Sequence, residues 1–312
     1  MLHNKKTWLL MFFAAFVSQA HAEVIVILPE TGPMARAATS IKHGFLSAYA
    51  QSNHKTPIKF VNSDQQNMKS IFRQHVGKKT EMVVGPLARQ DVEEVMKLNP
   101  KVKVLALNEV GAEAKNVIQF SLSKQDDAGS MVDVLQKDNI TDLLVLRQNG
   151  READTELYYI SLVSQFGHRV EPIQTLPAKL KKGQGLMLMG DSAWLNQLGK
   201  LPKRGVYAQA IAIEENKAIP EGLTFCDVPA LYEHQWNDVY HAYLQKPEPM
   251  PYQRLIAFGG DAWMLTEQYV LNPAIQDFRL KGRTGDLTAQ GDRIKRNVHC
   301  YQKTKRSLVV LK

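Results

Sequence analysis

The sequence predicts an α/β protein of two similar lobes, each with a mainly parallel sheet flanked by helices. Short apolar runs alternate with amphipathic stretches of helical period from residue 23 onward. The alternation occurs in two successive series, and the roughly 290 residues after the first 22 exceed one simple hydrophobic core. A hydrophobic fraction of 44% is typical of a globular chain rather than a disordered one.

The first series predicts the first lobe. Short apolar runs place strands at 24–28, 57–62, 81–86 and 101–107. Helices are expected between them, with apolar residues at helical spacing: Ile41, Phe45, Ala48 and Tyr49, then 68–76, then Val92, Val95 and Met96. This alternation favours parallel strands, because each helix carries the chain back to the starting edge of the sheet.

The second series predicts a lobe of similar size. Asp126 and Asp127 place negative charge in the first turn of a helix, where the helix dipole favours it. Strands are then expected at 142–146, 169–176, 185–189 and 205–211, and helices at 157–166 and 191–198.

The remaining chain builds no third lobe. It reads as two helices, 233–245 and 255–269, and as antiparallel strands over 284–311 with a turn at 289–292. The chain is expected to cross between lobes near Leu122, near 227–229 and near Lys281. Two α/β lobes with three crossings predict the type I periplasmic-binding fold, whose cleft lies between the lobes. The assignment is 23–121 plus 229–279 for lobe 1, and 122–228 plus 280–312 for lobe 2.

Residues 1–22 are expected to be a cleaved export signal. Lys5 and Lys6 precede the apolar run 8–17, and the segment ends in the small-x-small sequence Ala20-His21-Ala22. No cysteine lies near this point to receive a lipid, and no later segment reaches the roughly 20 apolar residues of a transmembrane helix. We therefore expect a periplasmic protein without an evident lipid anchor and without stable membrane insertion after signal cleavage.

The chain is basic, which favours anionic neighbours. Its formal charge of +8 becomes +6 without the two signal lysines. Near the C-terminus the basic residues cluster: Lys281, Arg283, Arg293, Lys295, Arg296, Lys303, Lys305 and Arg306. The cluster is either a surface for an anionic polymer or a protein, or a solvated hairpin whose charges block edge-to-edge aggregation. No nucleic-acid-binding module is recognisable, so we expect no nucleic-acid partner.

Catalytic and metal-binding signals are missing from the sequence. Cys226 and Cys300 are the only cysteines, and both a disulfide and two separately buried thiols remain open, because pairing needs Cα atoms within about 7 Å. The histidines after the signal show no HExxH or clustered Cys/His spacing. GxSxG and GxxxxGK[ST] are also absent. We therefore expect no metal, no cofactor and no enzymatic activity, and favour a binding or regulatory module.

Candidate ligand-binding residues lie at the ends of predicted strands, which face one rim of an α/β lobe. In the first lobe these are Thr31, Gly32, Gly85, Pro86 and Asn108, beside helix starts whose N–H groups can hold an anion. Gly and Pro are also routine turn residues, and Asn108 can simply satisfy local backbone groups. In the second lobe Arg147 and Arg151 either bind an anion or form rim salt bridges.

Several stretches resemble one family. They are VILPETGPMA at 26–35, GFLSA at 44–48, VVGPL at 83–87, VLALN at 104–108, FSLS at 120–123, AFGGDAW at 257–263, LKGRTGDL at 280–287 and GDRIKR at 291–296. Across nearly all of the chain after the signal, the sequence resembles the C-terminal domain of the penicillin-binding protein activator lipoproteins, the LppC or LpoA family. The resemblance implies a type I periplasmic-binding fold and stimulation of a peptidoglycan synthase by protein contact. The family's lipid-bearing cysteine and N-terminal helical-repeat domain have no counterpart here, so a free periplasmic derivative is expected.

The favoured function is therefore that of a non-enzymatic cell-envelope protein, with a peptidoglycan synthase or another envelope protein as partner. The alternative is a periplasmic solute-binding protein that closes its lobes on a small amino-acid-like or anionic ligand for transport or sensing.

Overall fold

A computed structural model describes residues 22–311, so the predicted export signal lies outside the described residues except for Ala22. The first half of the chain contains β1 (Glu23–Leu28), α1 (Ala35–Gln51), β2 (Ile58–Asn62), α2 (Met68–His75), β3 (Thr80–Val84), α3 (Arg89–Leu98), β4 (Lys103–Ala106), β5 (Val117–Phe120), α4 (Lys124–Lys137), β6 (Asp142–Arg147) and α5 (Glu152–Phe166). The second half contains β7 (Arg169–Ile173), β8 (Gln184–Met189), α6 (Ser192–Gln197), β9 (Val206–Ala208), β10 (Leu223–Asp227), α7 (Asn237–Gln245), α8 (Met250–Leu271), β11 (Phe278–Lys281), β12 (Asp286–Gln290), β13 (Arg293–Asn297), β14 (His299–Lys303) and β15 (Leu308–Leu311).

The strands form two sheets. The first has the order β11-β12-β13-β5-β4-β3-β1-β2 and the second the order β15-β14-β10-β9-β8-β6-β7. Strands β1 to β5 are parallel to one another, as are β6 to β10. Of the later strands, β13 pairs parallel with β5, whereas the pairs β11–β12, β12–β13, β10–β14 and β14–β15 are antiparallel. The predicted two-lobed α/β fold class is confirmed.

Both faces of each sheet are buried, as a parallel sheet covered by helices requires. In β1, Val24 and Val26 pack into the core on one face with α1 and α8, whereas Ile25 and Ile27 pack on the other face with α2 and α3. A glycine allows α1 and α8 to approach closely: a Cβ on Gly44 of α1 would lie 1.8 Å from the Ile256 carbonyl oxygen of α8. The glycine in GFLSA is therefore a packing residue.

One predicted lobe boundary is wrong. The sequence predicts residues 280–312 in lobe 2, with a crossing near Lys281, but β11 to β13 extend the first sheet. The reason is packing: Ile294 of β13 pairs with Phe120 of β5, and both side chains are buried in the core of the first sheet. The antiparallel pairing of β12 with β13 is as predicted, and the chain reaches the second sheet only at Val298, just before β14. The strand expected over 205–211 is also shorter, because a 3-10 turn, Ala210–Ala212, follows β9.

The C-terminal strands are tied to the second sheet. Cys226 of β10 lies directly opposite Cys300 of antiparallel β14, and of the two open alternatives the structure contains the disulfide. Within residues 22–311, no helix combines the length and the apolar character needed to cross a membrane.

Candidate functional site: the cleft between the lobes

The polar groups that follow β1 are bound to the chain's own carboxylate. Asp64, just after β2, accepts hydrogen bonds from the Glu30 N–H (2.7 Å), the Thr31 N–H (2.6 Å) and the Thr31 hydroxyl (2.9 Å). Burial raises the pKa of Asp64, but the hydrogen bonds from Thr31 and Glu30 outweigh it and the net shift is downward. The structure therefore places Thr31 in contact with an internal anion. Gly32, at φ +70°, turns the chain there and no atom lies within 4 Å of the position of its missing Cβ.

Gly85 and Pro86 are buried and shape the end of β3. Gly85 has φ +95°, and a Cβ there would lie 2.1 Å from the Ile27 carbonyl oxygen of β1. Its N–H donates to the Leu105 carbonyl, and the Pro86 carbonyl accepts from the Leu107 N–H. The close approach of the β1 backbone and the positive φ both require glycine at position 85. The two hydrogen bonds join Gly85 and Pro86 to the end of the neighbouring strand β4.

Asn108, after β4, links two loops. Its side-chain amide donates to the Leu87 carbonyl (3.0 Å), and its Oδ1 accepts from the Glu109 N–H (2.9 Å). These bonds are the local backbone role that the sequence left open as the alternative to ligand binding.

The two arginines of the second lobe are ion-paired. Arg147 contacts Glu156 (2.8 Å) and donates to the Thr155 hydroxyl, and its guanidinium lies 5.0 Å from the centre of the Tyr159 ring. Arg151 contacts Asp154 at 2.5 Å and Asp191 at 3.6 Å. Both arginines thus form salt bridges, the second of the two alternatives stated for them.

Side chains that the sequence did not single out connect the two lobes. Glu215, in the loop between β9 and β10, accepts from the Tyr243 hydroxyl of α7 (2.9 Å) and the Gln253 amide of α8 (3.0 Å). The Glu215 hydrogen bond, with some burial, raises the pKa of Tyr243. These residues come from three distant segments without a shared sequence motif, so only the fold brings them together.

A buried ion pair lies at the second crossing between the sheets. Arg254 of α8 binds both oxygens of Asp227 at the end of β10, at 2.8 and 2.7 Å, and donates to the Ala210 carbonyl at 3.0 Å. Asp227 also accepts from the Tyr232 hydroxyl (2.7 Å). Burial, followed by the Asp227 charge, raises the pKa of Tyr232 well above its usual value. The pair therefore fixes α8 of the first lobe against β10 of the second.

The C-terminal basic cluster is divided by the fold. Arg283 binds Asp238 (2.6 Å) and Arg293 lies 3.7 Å from Glu109. Arg296, 1% exposed, binds Asp127 at 2.8 Å and the Ser121 carbonyl at 2.9 Å. Burial raises the pKa of Asp127, but the positive charges of Arg296 and then Lys124 outweigh burial, and the net shift of the pKa is downward. The three arginines therefore stabilise the fold, and Arg296 ties β13 to the first crossing.

No group of three or more His, Cys, Asp or Glu side chains within residues 22–311 is arranged to hold a metal ion.

The fold and the cleft define a class of protein: two lobes, three crossings and a cleft at the carboxyl ends of parallel strands characterise type I periplasmic-binding-protein-like proteins. Within this class the predicted resemblance to the penicillin-binding protein activator family is confirmed. The profile of the family described as "LppC putative lipoprotein" matches residues 9–151.

Curated relatives carry the name of that family, and solved structures share the fold. The penicillin-binding protein activator LpoA of Haemophilus ducreyi is 24% identical over 85% of this chain and 50% of its own length. The C-domain of LpoA from Haemophilus influenzae, a regulator of PBP1A, superposes with a TM-score of 0.75 at 21% identity, covering 93% of this chain and 100% of that domain. A "putative branched-chain amino acid ABC transporter" from Chromobacterium violaceum has a TM-score of 0.74 at 21% identity, covering 89% and 99%. The chain spans about half the length of the curated relatives it matches.

Proposed function

We propose that this chain is a non-enzymatic periplasmic protein that stimulates a peptidoglycan synthase of the penicillin-binding protein class by direct contact. The relatives are named as activators of such proteins, and the resemblance extends over most of this chain. In this proposal the two-lobed fold is a scaffold for a contact surface rather than a receptor for a solute.

One observation carries the preference for a scaffold. The cleft groups expected to hold a ligand are already bound inside the chain: Thr31 to Asp64, Asn108 to Leu87, and Arg147 to Glu156. A small anion would have to displace the Asp64 carboxylate from three short hydrogen bonds, and the negative charge of Asp64 would then repel it. The likeness to solute-binding proteins reflects the fold, which hosts both functions.

The experiment combines an activity assay with a ligand screen. The exported protein is added to a purified bifunctional penicillin-binding protein, and glycan polymerisation from a fluorescent lipid-linked precursor is followed. We expect a faster rate with wild type and an equal rate with Arg151→Ala, which alters only the rim of the cleft. Unchanged polymerisation with wild type would refute the activator function.

The ligand screen tests the solute-binding alternative directly. Thermal unfolding is measured with amino acids and small carboxylates, for wild type and Arg151→Ala. We expect no ligand-dependent rise in Tm. A concentration-dependent rise that Arg151→Ala removes would establish a receptor instead.

The expected processing stays a prediction that mass spectrometry of the protein from cell envelopes can check. A free N-terminus at Glu23 agrees with cleavage after Ala22. A lipid adduct would contradict the expectation of an unanchored chain.

A further inference from the structure

The second lobe has a large basic cavity on the side away from the cleft. The cavity has a volume of about 990 Å³ and lies at the amino-terminal ends of β8, β9 and β10, beside the β14–β15 hairpin. The cleft lies at the opposite, carboxyl ends of the same strands. Five separate segments of chain form this cavity, which we call the basic basin. Its charged lining residues are Lys181, Lys203, Arg204, Lys303, Lys305, Glu221 and Asp138.

The basic side chains of the basin have no acidic partner in the described part of the chain. None of the five takes part in a salt bridge or a side-chain hydrogen bond there, unlike Arg147, Arg254 and Arg296. Of the two lining carboxylates, Asp138 already accepts the Tyr207 hydroxyl at 2.6 Å. The arginines near the cleft and the crossings thus form ion pairs within the protein. Several positive charges of the basin remain available to a partner.

The shape and lining of the basin favour a protein segment over a membrane. A bilayer presents a broad surface, and proteins that bind it usually combine basic residues with exposed apolar side chains. Here the cavity is concave, and its apolar lining is not exposed: Ile140 and Tyr207 are buried, and Leu180 and Leu201 are half-buried. An acidic segment that projects from a partner can enter such a cavity and place carboxylates beside the lysines.

We propose that the basic basin docks an acidic segment of a protein partner. This inference rests on the proposed function only for the identity of that partner, which would be the peptidoglycan synthase. The two lysines of the C-terminal hairpin, Lys303 and Lys305, then form part of a contact surface, whereas Arg283, Arg293 and Arg296 of the same sequence cluster serve the fold.

The binding test uses a short fluorescein-labelled peptide rich in Asp and Glu with one Leu, and its Asn and Gln analogue. Fluorescence anisotropy compares wild type with the basin variant K181E/K203E/K305E and with the matched variant K78E/K101E/K115E. All six lysines are exposed, and the matched three precede β3, β4 and β5 in the first lobe. Circular dichroism and Tm verify that both variants fold.

Wild type is expected to bind the acidic peptide with a Kd that rises with salt, because exposed charges are screened. The Kd should rise about tenfold or more in the basin variant and stay within about twofold of wild type in the matched variant, since repulsion acts only where charges are apposed. Equal binding by the basin variant, or equal binding of the neutral analogue, overturns the proposal. So does binding to phosphatidylglycerol vesicles with none to the peptide.

The synthase assay then separates the two proposals. Stimulation by wild type and the matched variant but not by the basin variant supports both. Equal stimulation by the basin variant overturns the basin as the docking site and leaves the activator function standing. No stimulation by wild type refutes the activator function, and the peptide measurement still decides whether the basin binds acidic segments.

Discussion

Replacing Arg254 by Ala should destabilise the protein strongly, because it removes one partner of a buried ion pair. The side chains of Arg254 and Asp227 are 14% and 2% exposed. Without the guanidinium, Asp227 loses two hydrogen bonds at 2.8 and 2.7 Å and keeps those from Tyr232 and the Val228 N–H. Breaking such a pair from one side costs about 3–5 kcal/mol. The remaining donors and water entering from the Arg254 side place the expected loss near 3 kcal/mol.

The measurement is urea unfolding followed by circular dichroism, for wild type, Arg254→Ala, Arg254→Met, Asp227→Asn and the Met/Asn double variant. The double variant should lose less free energy of unfolding than the sum of the two singles, because each single leaves a polar partner buried and unpaired. The m-values must agree, since two lobes can unfold separately. A loss below about 1 kcal/mol for Arg254→Ala, or strict additivity in the double variant, would refute the assignment of a coupled buried pair.

Three further predictions follow from particular contacts. Asp64→Asn should lower stability near neutral pH. Because the folded-state pKa of Asp64 is lowered, the difference from wild type should begin to shrink as pH falls below about 4 and disappear below the folded-state pKa. A difference in Tm that stays constant with pH would contradict this. Gly44→Ala should lower the free energy of unfolding by about 1–3 kcal/mol, because the added Cβ would lie 1.8 Å from the Ile256 carbonyl oxygen. The control Gly77→Ala adds a Cβ in open space and should leave Tm unchanged. Equal Tm values for the two variants would count against the close helix contact. Glu215→Ala should speed amide exchange in 209–222 while changing the free energy of unfolding by less than about 0.5 kcal/mol; unaltered exchange would show that its two hydrogen bonds do not hold the loop.

The order of strands and helices could be predicted because it follows from the local spacing of apolar residues. Which sheet β12 and β13 join could not be predicted in this way. It depends on the pairing of Ile294 with Phe120, and no local pattern encodes that pairing. A hairpin of alternating apolar residues is compatible with either lobe. Only the core it meets decides the assignment.

The positions of the cleft residues were predicted better than their roles. Thr31 does lie in the loop after β1, at the carboxyl edge of the sheet, as the strand pattern implies. Its partner was missed because Asp64 follows a different strand. A signal existed in the topology: β1 and β2 are parallel neighbours with Leu28 opposite Asn62, which brings residues two or three positions further along each chain together. Sequence alone does not give that register.

The Asp64 contact also bears on how this fold can change function without changing shape. A solute receptor keeps its donors unoccupied until the ligand arrives, since any internal partner competes with binding. Here the N–H groups of Glu30 and Thr31 and the Thr31 hydroxyl converge on one carboxylate supplied by the neighbouring loop. That carboxylate satisfies the same donors that would hold an anionic solute, so these donors need no ligand to be hydrogen-bonded. A lobe stabilised in this way can serve as a rigid platform, and its contacts with partners are then free to evolve on surfaces such as the basic basin.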